Sequence, residues 1–131
     1  MTNALALVVY MAIVTWLTLL IASMMRARGW TLPGIILALG NRENMPEPLA
    51  VADRADRAAR NTLENFVLFA ALVLTAHAMG VVDHRIELGA EIFFWARLAY
   101  IPIYIAGIIY VRTVVWTISI IGLGMITSTL L

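Results

Sequence analysis

The chain has 131 residues, of which 63% are hydrophobic and only 13% charged, and its mean hydropathy is +0.92. A soluble domain of that size has too little interior to hide so much apolar surface, so the composition points to membrane spans within one domain, residues 1–131. Nine arginines, no lysine and eight acids leave a net charge of +1, which argues against a nucleic-acid binder. With no cysteine the chain has no disulfide, no thiolate nucleophile of its own and no Cys-ligated metal.

The first apolar run extends from Ala4 to Met25, roughly 22 residues, close to the ~20 that cross a bilayer. No basic segment precedes it and it exceeds a signal-peptide core, so it reads as a first span over residues 5–25 and not as a cleaved leader. Arg26 and Arg28 close it. The connection that follows, residues 31–51, holds Pro33, Gly34, Gly40, Asn41, Pro46 and Pro48, a density that rules out one continuous helix. Its apolar middle, residues 35–39, suits the membrane surface.

The second long helix is predicted over residues 53–79, with Gly80 as its stop. Its first half is charged and its second half apolar. The apolar half is about 14 residues, too short to span alone, so the polar half must enter the membrane zone shielded by protein or water. A third helix is predicted over residues 88–110 and a fourth over 113–131, which carries little polarity beyond hydroxyls. Gly122 and Gly124 there would allow close helix approach. The expected fold is all-α, a four-helix membrane bundle. Arg26, Arg28, Arg42, Arg54, Arg57 and Arg60 lie in or beside the first connection and Arg112 in the third, against Arg85 alone on the other side. The positive-inside rule then places both termini outside and the first and third loops in the cytoplasm of a multi-pass protein.

Polar residues inside the apolar zone are the candidates for chemistry. Arg57, Arg60, Asn61 and Glu64 recur at i, i+3, i+4 and i+7, one face of a helix. An interfacial turn that snorkels to headgroups explains each singly. It explains the set less well, because Asn61 and Glu64 lie where the helix enters the apolar region. Arg97 sits among Phe93, Phe94, Trp95 and Leu98, where a charge should face inward and pair with an acid, Glu64 first and Glu91 second. Both a helix tie and a ligand contact remain open for it. Tyr100 and Tyr104 continue its face, with Pro102 between them expected to bend the helix. Arg112 is either a positive-inside flank or a guanidinium at the mouth of a cavity. His77 and His84 have no Ser or Asp placed for a triad, and no phosphate loop is present.

The run R-A-A-R-N-T-L-E-N-F-V-L-F at residues 57–69 and F-F-W-A-R-L-A-Y-I-P-I-Y-I-A-G-I-I-Y-V-R-T at residues 93–113 closely resemble the MAPEG family, membrane-associated proteins in eicosanoid and glutathione metabolism, nearest its short bacterial members. The resemblance covers nearly the whole chain. It implies a homotrimer in the inner membrane that binds glutathione, or another small thiol, between subunits near the cytoplasmic face. By the same resemblance Arg26, Arg57, Arg60, Asn61, Glu64, Tyr100 and Tyr104 hold the tripeptide. Arg112 stabilises the thiolate and Thr113 assists. A guanidinium beside a thiol favours the nucleophilic thiolate, and arginine suits a doubly carboxylated peptide. The implied activity is a transferase or peroxidase acting on lipophilic small molecules. The alternative is a non-catalytic scaffold of the same fold that binds membrane lipid or another thiol. A channel is the weakest reading, since the fourth helix offers almost no polar lining.

Overall fold

The computed structural model describes residues 3–42, 45, 47 and 49–131. Its elements are all helical: α1 (Asn3–Ala27), α2 (Leu32–Leu39), α3 (Ala50–Ala78), α4 (His84–Ala106) and α5 (Ile109–Thr127). Three of them, α1, α4 and α5, are long and apolar enough to cross a membrane. The fourth long helix, α3, misses that standard because its N-terminal half carries the charged sequence from Asp53 to Glu64.

Both ends of α4, both ends of α5 and one connection depart from the sequence reading, α5 running Ile109–Thr127 in place of residues 113–131. The predicted connection contains the short helix α2, begun by Thr31, whose hydroxyl accepts from the Gly34 amide at 3.0 Å, with Pro33 in its first turn. Helix α4 starts at His84 instead of residue 88, because Asp83 caps it by accepting from the Arg85 amide at 2.8 Å. It runs through Pro102 but stops at Gly107, φ +81°, where a left-handed residue closes the helix. The Arg54 Nε donates to the Ile105 carbonyl at 2.8 Å, a cation on the last turn where free carbonyls and the helix dipole favour one. Only Gly107 and Ile108 separate α4 from α5.

The buried stripe of α3 runs Ala52, Ala55, Ala59, Thr62, Phe69, Val73 and Ala76, one face at helical spacing. Its alanines let α1 approach, so that Ala22, Ala55 and Ala59 pack together with Leu19, Met25 and Ile105. Further along, Phe69 stacks on Phe93 of α4 at 4.3 Å and 16°, beside the fully buried Met11 of α1. Such a ring pair adds roughly 0.5–1.5 kcal/mol beyond its buried area.

Helices α4 and α5 meet backbone to backbone at Gly89 and Gly122. A methyl built on Gly122 would lie 2.6 Å from the Gly89 carbonyl oxygen, and one on Gly89 would lie 2.6 Å from the Gly122 carbonyl oxygen. Gly124, by contrast, faces open space. Gly122→Ala is therefore expected to destabilise the detergent-solubilised protein by about 1–3 kcal/mol through forced separation of the helices. Gly124→Ala should match or slightly exceed wild type in the same thermal melt.

Candidate functional site

The site is built around Arg97. Its side chain is completely buried (0% exposed) on the face of α4 that meets α3. The expected tie to Glu64 or Glu91 does not form. Instead Arg97 Nη2 donates to Asn61 Oδ1 and Thr62 Oγ1, both at 2.9 Å. Helix geometry gives the reason: Glu64 is two residues beyond Thr62, a turn of about 200°, so when Thr62 faces α4 Glu64 faces away. Glu64 is exposed, and Glu91 accepts from Asn3 Nδ2 and Trp95 Nε1 nearer the other end of α4.

Arg97 Nε and Nη1 are buried without hydrogen bonds among the described residues. The guanidinium instead lies over the Tyr100 ring, its Cζ 4.0 Å from the centroid. A desolvated cation gains appreciably from an aromatic face. The contact seats Tyr100, itself buried, against Tyr104 at 5.5 Å between centroids. The Arg112 Cζ then lies 4.7 Å from the Tyr104 centroid. Two guanidiniums and two phenols thus form a continuous row from the interior of α4 to the first turn of α5.

The outer end of that row borders a recess of about 210 Å³ lined by Asn61, Tyr100, Arg112, Thr113 and Trp116. Its polar atoms converge with little to satisfy them. Asn61 Oδ1 accepts from both Arg97 and Asn65 Nδ2, the latter at 3.3 Å, and the Asn61 amide nitrogen has no acceptor among the described residues. Among the described residues the Tyr100 hydroxyl has no hydrogen-bond partner, and the Arg112 guanidinium has no acceptor or acid within reach. Thr113 Oγ1 makes one long contact, 3.5 Å, to the Ile109 carbonyl. Helix α5 begins at Ile109 with no side-chain cap, so the positive end of its dipole lies in the same place. An unneutralised cation, an amide N–H, two hydroxyls and a helix N-terminus together make a site for an anion.

Of the residues singled out in the sequence, one chain brings together Asn61, Tyr100, Tyr104, Arg112 and Thr113. It does not add Arg26, Arg57, Arg60 or Glu64. Arg26 is in the last turn of α1, half-buried. Arg57 pairs with Asp53 at 2.9 Å and Arg60 with Asp56 at 3.4 Å, all four well exposed on the outer face of α3. Exposed i,i+4 pairs of this kind are worth only about 0.3–0.5 kcal/mol, so these guanidiniums exchange partners easily. Sequence reasoning missed Thr62 and Trp116 as members of the site. Trp116 follows Arg112 by four residues, so helical spacing alone would have put both on one face.

The hydrogen-bond pattern predicts a specific pair of double-mutant cycles, read by unfolding in detergent. Arg97→Ala and Asn61→Ala should be coupled by ~1 kcal/mol or more, whereas Arg97→Ala and Glu64→Ala should be additive to within about 0.5 kcal/mol. A larger coupling to Glu64 would restore the ion pair that the geometry rejects.

A family model, the MAPEG family, matches residues 3–131. Among curated proteins, none matches the chain in sequence. With three apolar spans and a family match over nearly its full length, the chain is a membrane protein that belongs to the MAPEG family.

Proposed function

We propose that the protein is a glutathione-dependent membrane enzyme that joins the tripeptide thiol to lipophilic electrophiles or uses it to reduce lipophilic hydroperoxides. The observation that carries this reading is the recess lined by Asn61, Tyr100, Thr113 and an Arg112 with no acid partner among the described residues. Family membership supports a role in glutathione or eicosanoid chemistry in general. Bound glutathione would supply the sulfur nucleophile. Arg112 holds its thiolate, Thr113 donates a hydrogen bond beside it, and Asn61 with Tyr100 receives carboxylate or carbonyl oxygens of the peptide. In transfer, a carbon–sulfur bond forms and the leaving group departs with its electron pair. In peroxide reduction two thiols give one disulfide, and the hydroperoxide leaves as alcohol and water.

The recess supports a site shared between subunits. At about 210 Å³ it is smaller than the ~300–1,000 Å³ typical of small-molecule pockets, so one chain provides part of a site. Arg57, Arg60 and Glu64 point outward, where a neighbouring copy would meet them. Helix α3 also needs cover. Its 29 residues measure about 43 Å, and the apolar part beyond Asn65 covers only about 20 Å of a ~30 Å hydrocarbon core. Asn61 and Glu64 then fall within the membrane, where packing against another copy removes the cost of exposing them to lipid. A homotrimer in the inner membrane, with four long helices crossing it and Arg26, Arg57 and Arg112 at the cytoplasmic face, meets these requirements. Arg26 and the neighbour's α3 would complete the peptide site.

The test is thermal stability of the detergent-solubilised protein across titrations of glutathione and S-hexylglutathione. A saturable rise is expected, equivalent to about 2.7 kcal/mol at a hundred times Kd. Arg112→Ala should lower kcat with a soluble aryl halide by about 100-fold or more, as loss of one anion-stabilising donor does, with an unchanged melting temperature. A flat response to both ligands from a folded protein would overturn the glutathione reading and favour the non-catalytic scaffold. Undiminished turnover in the variant would remove the thiolate role from Arg112.

A further inference from the structure

A second cavity, about 450 Å³, lies at the other end of the molecule, where the start of α1, the end of α3 and the start of α4 meet. Along α4 its Glu87 is 13 residues from Tyr100, about 20 Å, so the two sites are separate. The walls are apolar, with Val73, Ala76 and Ile86 among them, and the polar rim is His77, Asp83, His84 and Glu87.

The two carboxylates differ sharply. Asp83 is matched: it accepts from the Arg85 Nη2 at 3.0 Å and from the Arg85 amide at 2.8 Å. The Arg85 side chain, followed by that amide, holds the Asp83 carboxyl below the usual carboxylate range. Glu87 is not matched. Its Oε2 is buried without a hydrogen-bond partner among the described residues. The nearby amides of the first turn are already taken, Arg85 N by the Asp83 side chain and Ile86 N by the Asp83 carbonyl. Buried carboxylate oxygens are almost always hydrogen-bonded, yet neither oxygen of Glu87 has a partner among the described residues, so the carboxylate that lines this apolar cavity is open to a donor from outside the chain.

We infer that this cavity binds amphiphiles carrying a primary ammonium, the head donating to the Glu87 carboxylate and the aliphatic chain lying along the Val73–Ile86 wall. An ammonium answers the charge and the missing hydrogen bond together, which a neutral alcohol cannot do. The position fits such a ligand, because Glu87 is in the first turn of a membrane-spanning helix, at the depth of lipid headgroups. A free long-chain amine and an ethanolamine-headed lipid share this chemistry.

The experiment uses the full-length protein in mild detergent, with thermal shift and native mass spectrometry as readouts. The probes are dodecylamine, dodecanol, phosphatidylethanolamine and phosphatidylglycerol. Dodecylamine should raise the melting temperature saturably, and dodecanol should bind at least about tenfold more weakly. Glu87→Gln should lose about tenfold or more in dodecylamine affinity yet keep the wild-type response to glutathione, whatever that response is. His77→Trp, at an exposed rim position, should fold and also weaken dodecylamine by narrowing the mouth. Retention of phosphatidylethanolamine over phosphatidylglycerol, lost in Glu87→Gln, identifies lipid as the source; binding of dodecylamine alone identifies a free amine. Equal binding of dodecanol and dodecylamine, or unchanged amine affinity in both variants, would overturn the inference.

Discussion

A guanidinium buried between α3 and α4 with no acid paired to it among the described residues sets the terms for everything around it. Removing a cation from water is costly, and Arg97 is solvated by an amide oxygen, a hydroxyl and an aromatic face in place of a counter-ion. Each partner can serve only in one orientation. The Asn61 carbonyl must face inward, which sends its amide nitrogen outward. The Tyr100 ring must present its face to the guanidinium, and in that position Tyr100 also lines the recess. The rotation of α4 against α3 follows, and with it the stacking of Tyr104 under Arg112. The recess lined by Asn61, Tyr100 and Arg112 is the outer surface of the arrangement that keeps Arg97 solvated.

Helix α3 divides its labour along its length. The alanines of its first half bring α1 close, while the other side of the same turns carries loosely paired charges. Its second half packs Phe69 and Val73 into the core and leaves Val67, Leu68 and Leu74 exposed. A helix that is charged outside at one end and apolar outside at the other suits a chain in which its two ends meet water and lipid respectively.

Much of this was legible in the residues, and the failures have local causes. Apolar length marked the spans, and Gly80, which adopts φ +70°, marked the end of α3. Asn61, Tyr100 and Tyr104 could be singled out as polar groups in or beside apolar surroundings, whereas Arg112 read equally as a positive-inside flank and Thr113 entered only through the family resemblance. The partner of Arg97 could not, because charge complementarity favoured Glu64 and only the phase of α3 shows that Thr62 and Asn61 face inward. The break at Gly107 was hidden because the flanking residues, Ile105 to Val111, are apolar on both sides and read as one continuous run. The Arg54 bond that caps the end of α4 joins residues 51 positions apart in sequence, beyond the reach of any local pattern.

The backbone contact of Gly89 with Gly122 also governs where the chain can change in length. Gly122 lies ten residues after Arg112 on one uninterrupted helix, so seating that glycine against α4 also fixes the direction in which Arg112 points. A residue inserted between them would turn one against the other by about 100°, and the recess would lose its cation while the helices stayed packed. The same insertion in the connection before Leu49 would leave both helices in phase. Over evolutionary time, insertions and deletions should therefore collect in the first connection and be purged from the stretch that joins Arg112 to Gly122.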